Sequence, residues 1–166
     1  MAIGRTGTGG STLRAPRQAM SAFTVLGYDS PPPEAVAAVD RGLGEANAAA
    51  APLHEVATLA CIASDGEGRV IGGAVGRRWG ECAELQQLWV QEQSRRRGVG
   101  SALVHEFLSM ARARGCQAVF LETFSFQAPG LYRSLGFRVA YENRLLPHGI
   151  VKFHMVKRFD TVRSDR

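Results

Sequence analysis

The sequence predicts a single α/β domain, α+β in layout, with a mixed, mostly antiparallel twisted sheet of about seven strands flanked by helices. Three observations carry this. Apolar runs of strand length alternate with stretches of helical period in the order β α β β β α β α β β. The run Ser64-Asp65-Gly66-Glu67-Gly68 is a strong hairpin signal between two of the strands. At the centre of the chain a strand, a glycine turn opening a helix, and a further strand succeed one another, the pattern of a parallel crossover.

Residues 1–20, rich in Gly, Thr, Arg and Ser, have no apolar period and are expected to form a disordered extension, with Met20 a candidate native start. Residues 21–158 are expected to be the domain and 159–166 a flexible tail. Residues 22–28 read as the first strand. Asp29-Ser30-Pro31-Pro32-Pro33-Glu34 stops it and opens a helix, whose first turn tolerates proline. Val36, Val39 and Leu43 give that helix an apolar stripe. Residues 54–63 and 69–79 are the hairpin strands, and 82–90 is the next, antiparallel to its predecessor.

Leu103, Val104, Phe107, Leu108 and Ala111 fall on one face of the central helix, which runs to Arg114. Arg112 and Arg114 suit its last turn, and Gly115 ends it. Residues 118–123 are nearly all apolar, as a central strand covered on both faces should be. A short helix over 129–135 has Pro129 at its start and Gly136 as its stop. Residues 137–142 and 151–157 are the last strands, around the loop Leu146-Pro147-His148-Gly149.

The 166 residues, 45% hydrophobic and 21% charged, suffice for a buried core without metal or disulfide staples. No apolar run approaches a membrane span, and no apolar block follows the first arginines, so neither a membrane partner nor a secretory signal is expected. Cys61, Cys82 and Cys116 lie far apart, which argues against a disulfide framework and a metal site and for the cytoplasm. The net charge of +5 is concentrated at the ends: residues 1–20 contribute +3 and the stretch from 157 contributes +2, leaving 21–156 neutral. A nucleic-acid binder would carry its basic patch on the folded body, so no nucleic-acid partner is expected.

The chemistry concentrates in Val90-Gln91-Glu92-Gln93-Ser94-Arg95-Arg96-Arg97-Gly98-Val99-Gly100-Ser101. A glycine-rich turn at a helix start points several unpaired N–H groups at one place, where the helix dipole adds positive potential; the natural ligand is a phosphate. A P-loop would need Gly-Lys-Ser/Thr, but Gly100 is followed by Ser101-Ala102. A dinucleotide fingerprint would need glycine where Leu103 stands, and would usually sit on the first strand. What remains is R-x-x-G-x-G, filled by Arg95, Gly98 and Gly100, with backbone donors from the amides of Arg96, Arg97, Gly98, Val99, Gly100 and Ser101. The arginines could instead be a solvated charge run, but their place between strand and glycines favours local phosphate partners.

Leu88-Trp89-Val90, the R-x-x-G-x-G turn, a helix, a strand and then Leu131-Tyr132-Arg133-Ser134-Leu135-Gly136-Phe137 together resemble the GNAT superfamily of acetyl-CoA-dependent N-acetyltransferases. The resemblance covers residues 22–158. It implies that the fourth and fifth expected strands splay apart, and that the pantetheine arm of acetyl-CoA inserts between them along the main chain of Leu88, Trp89 and Val90. It further implies direct attack of an amine on the thioester in a ternary complex. Tyr132 matches the family's tyrosine that protonates the departing sulfur, and Glu84 the position from which some members supply a general base. Strand alternation puts Glu84, Gln86, Leu88 and Val90 on one face. Gln127 stands where many members have an asparagine touching the coenzyme arm, a departure from the pattern.

Each assignment has a plainer reading beside it. Tyr132 could be a packed helix tyrosine and Glu84 an ordinary strand residue, with Glu81 or a water relay taking the proton. His105, His148 and His154 read as exposed or satisfied histidines, and Cys116 as buried packing. Trp79, Trp89, Phe124, Phe126 and Tyr141 suit an acceptor pocket or simply a sheet face. The resulting expectation is an acetyl-CoA-dependent N-acetyltransferase acting on a primary amine of a small molecule, peptide or protein, as monomer or homodimer. Glu81 and Glu84 suggest a cationic acceptor. The alternative is an acyl-CoA-binding regulatory module without turnover.

Overall fold

The computed structural model describes residues 23–159. They fall into two units divided after Gly42. In the first, residues 23–28 have no regular secondary structure, with Phe23 and Val25 76% and 82% exposed. The strand expected over 22–28 is therefore not formed by 23–28, and Ala22 lies outside the described residues, as do the expected extension over 1–20 and the tail beyond Phe159. A strand persists only with a ladder partner, and all the sheet's ladder pairs are made from Ala57 onward. The proline run does open a helix. The Pro32 carbonyl accepts from the N–H groups of Ala35 and Val36 at 3.0 and 3.2 Å, starting α1 (Pro33–Ala50), whose Val36 and Val39 are exposed.

The second unit contains β1 (Ala57–Ser64), β2 (Val70–Trp79), β3 (Cys82–Val90), α2 (Val99–Ala113), β4 (Ala118–Phe124), α3 (Pro129–Ser134), β5 (Arg138–Asn143) and β6 (Lys152–Arg158). The six strands form one sheet in the order β1-β2-β3-β4-β6-β5. Every neighbouring pair is antiparallel except β3–β4, which α2 connects as the crossover. The mixed, mostly antiparallel sheet with a central βαβ is thus the predicted architecture, with one strand fewer among the described residues.

The β1–β2 hairpin is closed by Asp65, whose Oδ1 accepts from the N–H groups of Glu67 and Arg69 at 3.0 and 2.9 Å, with Gly68 at φ +80°. Helix α2 buries the five apolar residues its period singles out against Leu59, Ala74, Ala83 and Leu85. Gly115, at φ +81°, ends α2 by donating its N–H to the Arg112 carbonyl at 3.0 Å.

Strands β3 and β4 each depart from the regular pattern. Val75 pairs with Gln87 but Gly76 pairs with Leu85, so Gln86 is the extra residue of a β-bulge. Gly76 is what permits it: a Cβ there would lie 1.9 Å from the Glu84 carbonyl oxygen and 2.9 Å from Phe107. The bulge resets the alternation of β3. Leu85, Leu88 and Val90 pair with the inward Gly76, Ala74 and Gly72, whereas Glu84, Gln87 and Trp89 pair with residues of the outer face. Glu84 therefore lies on the face opposite Leu88 and Val90, which corrects the common face that strict alternation predicts. Strand β4 also differs from expectation. Ala118, Val119, Leu121 and Thr123 are buried, but Phe120 and Glu122 stand exposed on the outer face, so the strand is covered on one side and not on both.

Candidate functional site

The parallel ladder between β3 and β4 is short. It runs from Cys82 opposite Ala118 to Leu85 opposite Leu121 and stops, although β3 continues to Val90 and β4 to Phe124. Beyond that point the strands part around a cleft of about 640 Å³. This is the splay expected between the fourth and fifth strands. Its walls are β3 from Leu85 to Val90 and, across from it, Glu122 and Thr123 of β4. The far end is closed by Phe126, Gln127 and Ala128, with Leu131 and Tyr132 of α3 beside them. The mouth is formed by Arg95, Arg96 and Gly98 with Gly100 and Ser101 of α2.

The mouth is built from backbone. Gly98, at φ +85°, is the N-cap residue of α2, and no side chain caps the helix. Its first N–H groups therefore face outward with the positive end of the dipole. Arg96 is held in the left-handed region at φ +56°, a cost of about 1 kcal/mol that the turn sustains to swing the chain into α2. Arg95 ties this turn to the strand, donating from Nε to the Val90 carbonyl at 3.0 Å. A Cβ on Gly100 would meet Leu131 at 3.5 Å, an ordinary contact, so this glycine is not sterically demanded by the protein itself.

At the closed end, Tyr132 is buried and packs edge-on against Phe137, with ring centroids 5.8 Å apart. Its hydroxyl bonds to no described side chain or carbonyl. Burial pushes that hydroxyl above the ordinary tyrosine pKa, so at neutral pH it is a phenol with a proton to give. Gln127 turns inward on its own loop: its Oε1 accepts from Thr123 Oγ1 at 3.1 Å and from the Phe124 N–H at 2.8 Å. It shapes the cleft floor by holding the end of β4.

Most residues singled out from the sequence converge here: Leu88, Trp89, Val90, Arg95, Arg96, Gly98, Gly100, Ser101, Gln127 and Tyr132 all line the cleft. Three do not. Arg97 is exposed, and Val99 packs against the core cluster. Glu84 borders a separate cavity of about 270 Å³ on the outer face, with Leu53, Val56, Arg77, Trp79, Cys82 and Phe120. There its carboxylate is committed to Arg77 Nε at 2.8 Å and Gln86 Nε2 at 3.2 Å.

Sequence reasoning missed Glu122. It is the only acid in β4, and it sits one residue beyond the last β3–β4 pair. Its Oε1 lies 3.0 Å from His154 Nδ1, its Oε2 pairs with Lys152 Nζ, and the Tyr141 ring packs 5.4 Å from the imidazole. A lone acid in an apolar strand was the one signal in the sequence. Its partners come from β6 and could be found only through the register, in which Glu122 is directly opposite His154. Of the other side chains noted from sequence, His148 lies in the β5–β6 loop, and burial raises the Cys116 thiol above its ordinary pKa, in keeping with a packing role.

Comparison with known proteins agrees with this geometry. The profile of the Acetyltransferase (GNAT) family matches residues 28–137. A blasticidin-S acetyltransferase from Streptomyces morookaense is 38% identical over 110 residues, covering 65% of this chain and 78% of that protein. A crystal structure of an acetyltransferase from Bacillus cereus superposes with a TM-score of 0.67 at 25% identity, covering 81% of this chain and 98% of the other. An aminoglycoside 6'-N-acetyltransferase complexed with coenzyme A superposes with a TM-score of 0.55 at 17% identity, over 61% of this chain and 72% of the other, a likeness of fold.

Proposed function

This chain belongs to the GNAT acetyltransferase family, and we propose that it transfers the acetyl group of acetyl-CoA directly to a primary amine of a cationic small molecule. The observation that carries the reading is the early end of the β3–β4 ladder at Leu85 and Leu121, which opens a cleft from an uncapped helix start to a buried tyrosine. Each part of the donor has a matching feature. The pyrophosphate suits the outward N–H groups of α2 with Arg95 and Arg96 beside them. The pantetheine arm suits the unpaired edge of β3 from Gln87 to Val90, as an added strand.

In this reading the amine forms its bond to the thioester carbonyl carbon while a β3 N–H stabilises the charge developing on oxygen. The sulfur leaves as the C–S bond breaks and takes the Tyr132 proton. Tyr132 suits that task because burial keeps it protonated and its position closes the cleft. The acceptor approaches from the outer face, where Phe120 of the second cavity and Glu122 of the first are neighbours on the same side of β4. Trp79 and Phe120 there offer aromatic faces to a cation.

A relative named for blasticidin S favours a small amine over a protein lysine. The test is coenzyme A release from acetyl-CoA with blasticidin S, an aminoglycoside, a polyamine and a lysine peptide. Turnover on a small amine is expected. Tight acetyl-CoA binding with no release on any of them would turn the reading into that of a non-catalytic coenzyme-binding module.

A further inference from the structure

We propose that Phe126 is a stacking platform for the acceptor, with Trp89 as a second aromatic wall, and that the acceptor is an amine carrying a flat aromatic ring. This rests on the acetyl-transfer reading of the cleft. Both side chains line the cleft, Trp89 from β3 and Phe126 from the turn that follows β4. They are 52% and 67% exposed. A single exposed aromatic needs no explanation, since much of any protein surface is apolar. Two that border the same cleft offer ring faces to whatever lies in it.

The platform is built before any ligand arrives. Phe126 stacks on Phe124, with ring centroids 5.3 Å apart and planes 6° from parallel, so one face is backed and the exposure belongs to the other. Phe124 is itself held under the Lys152 ammonium, 5.8 Å from the ring centroid. The turn between them is pinned at both ends. The Gln127 N–H donates to the Phe124 carbonyl at 3.0 Å, and the Phe124 N–H donates to Gln127 Oε1 at 2.8 Å. The Ser125 N–H donates to the Val151 carbonyl at 2.8 Å, and the Val151 N–H donates to Ser125 Oγ at 3.1 Å. A ring laid on Phe126 therefore pays little to order its partner. Trp89 is opposite Gly73 in the β2–β3 ladder, and that glycine has no side chain to cover the indole.

Position decides which ring the platform takes. Coenzyme A has a flat ring of its own, but its adenine lies beyond the pyrophosphate, which suits the mouth at Arg95, Arg96 and Gly98. Phe126 stands at the other end, in the lining with Gln127 and Tyr132, where the acetyl group and not the adenine would lie. A ring stacked on Phe126 carries an amine on a short arm into the space that Tyr132 also lines. Flatness is the property selected. A saturated ring of the same size covers as much apolar surface but cannot lie face to face with phenylalanine.

The experiment measures equilibrium binding of benzylamine and of cyclohexylmethylamine to the full chain saturated with coenzyme A, which has no acetyl group to transfer. The two amines match in size and in charge at neutral pH. The saturated one is the more apolar, so a cleft wall acting through area alone prefers it. Wild type should instead bind benzylamine about three- to tenfold more tightly. Phe126→Leu keeps the apolar surface without the flat face and should bring that ratio to one or below. Phe126→Tyr should keep it. Coenzyme A affinity should stay within about twofold in both variants, because the donor is held at a distance from the platform. A wild-type preference for cyclohexylmethylamine, or a ratio unmoved in F126L, overturns the proposal and leaves the acetyl-transfer reading intact. So does a loss of coenzyme A affinity in F126L that F126Y restores, which would make Phe126 part of the donor site. A chain that releases coenzyme A from acetyl-CoA with no amine overturns the transfer reading, and with it the acceptor assignment, whatever the ring preference.

Discussion

The two sides of the cleft are built from different materials. The β3–turn–α2 side presents main chain: an unpaired strand edge, a left-handed arginine, and a helix start that no side chain caps. The outer face presents side chains in pairs, Glu122 with His154 and Lys152 at the cleft and Glu84 with Arg77 at the separate cavity beside it. A backbone site binds whatever has the right shape and negative charge, and tolerates most substitutions other than those that move the backbone. A side-chain site is set by individual residues and changes specificity with one of them. One half of the cleft is therefore suited to a constant donor, and the other to an acceptor that differs among relatives.

This contrast predicts where single changes will act. The largest effect belongs to Tyr132→Phe, which keeps the ring against Phe137 and removes only the hydroxyl. We expect kcat to fall by about 10²- to 10⁴-fold, the usual range for a general acid, with acetyl-CoA affinity nearly unchanged. A rate within threefold of wild type would leave Tyr132 a packing residue. The same hydroxyl links stability to pH. Its folded pKa is raised by burial, so unfolding releases a proton more readily above about pH 10. That contribution is complete below the unfolded value and is lost as pH rises through the folded one. Melting temperatures should accordingly fall less steeply between about pH 9 and 11 in Y132F than in wild type.

Two glycine substitutions separate backbone shape from backbone conformation. In Gly76→Ala the new Cβ would lie 1.9 Å from the Glu84 carbonyl, so β2 and β3 must move apart at the bulge. A loss of roughly 1–3 kcal/mol in unfolding free energy is expected, seen as a lower denaturant midpoint, together with weaker acetyl-CoA binding because the bulge adjoins the splay. In Gly98→Ala nothing lies within 4 Å of the new Cβ, and only φ +85° opposes it. The cost should be about 1–2 kcal/mol, and it should fall on acetyl-CoA affinity more than kcat. Equal losses of kcat and affinity in G98A would show that the turn also positions the reacting end.

The contrast also explains how much could be read beforehand. The convergence of the proposed donor side was legible because R-x-x-G-x-G is local: Arg95, Gly98 and Gly100 are close in sequence and all line the cleft. The succession of elements from the hairpin onward followed from local signals in the same way, whereas the insertion of β6 between β4 and β5 did not. The outer face was not legible, for two physical reasons. A single bulge at Gln86, permitted by Gly76 on the neighbouring strand, inverted the facing of Glu84 relative to Leu88. Glu122 gained its meaning only from residues 30 or more positions away on β6, through a register that no short motif encodes. The expected strand over 22–28 failed likewise for want of a partner, since Phe23 to Tyr28 have the composition of a strand without a ladder to join.

The smallest predicted effect is the most informative about the acceptor. Arg77 and Glu84 are paired at 2.8 Å with the arginine side chain 57% exposed and the glutamate 24%, so the pair should add no more than about 1 kcal/mol to stability. Arg77→Gln removes the positive partner and leaves a carboxylate beside Trp79 and Phe120 in the outer cavity. If cationic acceptors lie there, their KM should fall by about two- to fivefold in R77Q, with kcat unchanged and the gain erased by added salt. Glu84→Gln should move KM in the opposite direction. A neutral amine of similar size should feel neither change. Equal shifts for charged and neutral acceptors would mean that the outer cavity acts through shape, and that the charge selecting the acceptor is carried by Glu122 alone.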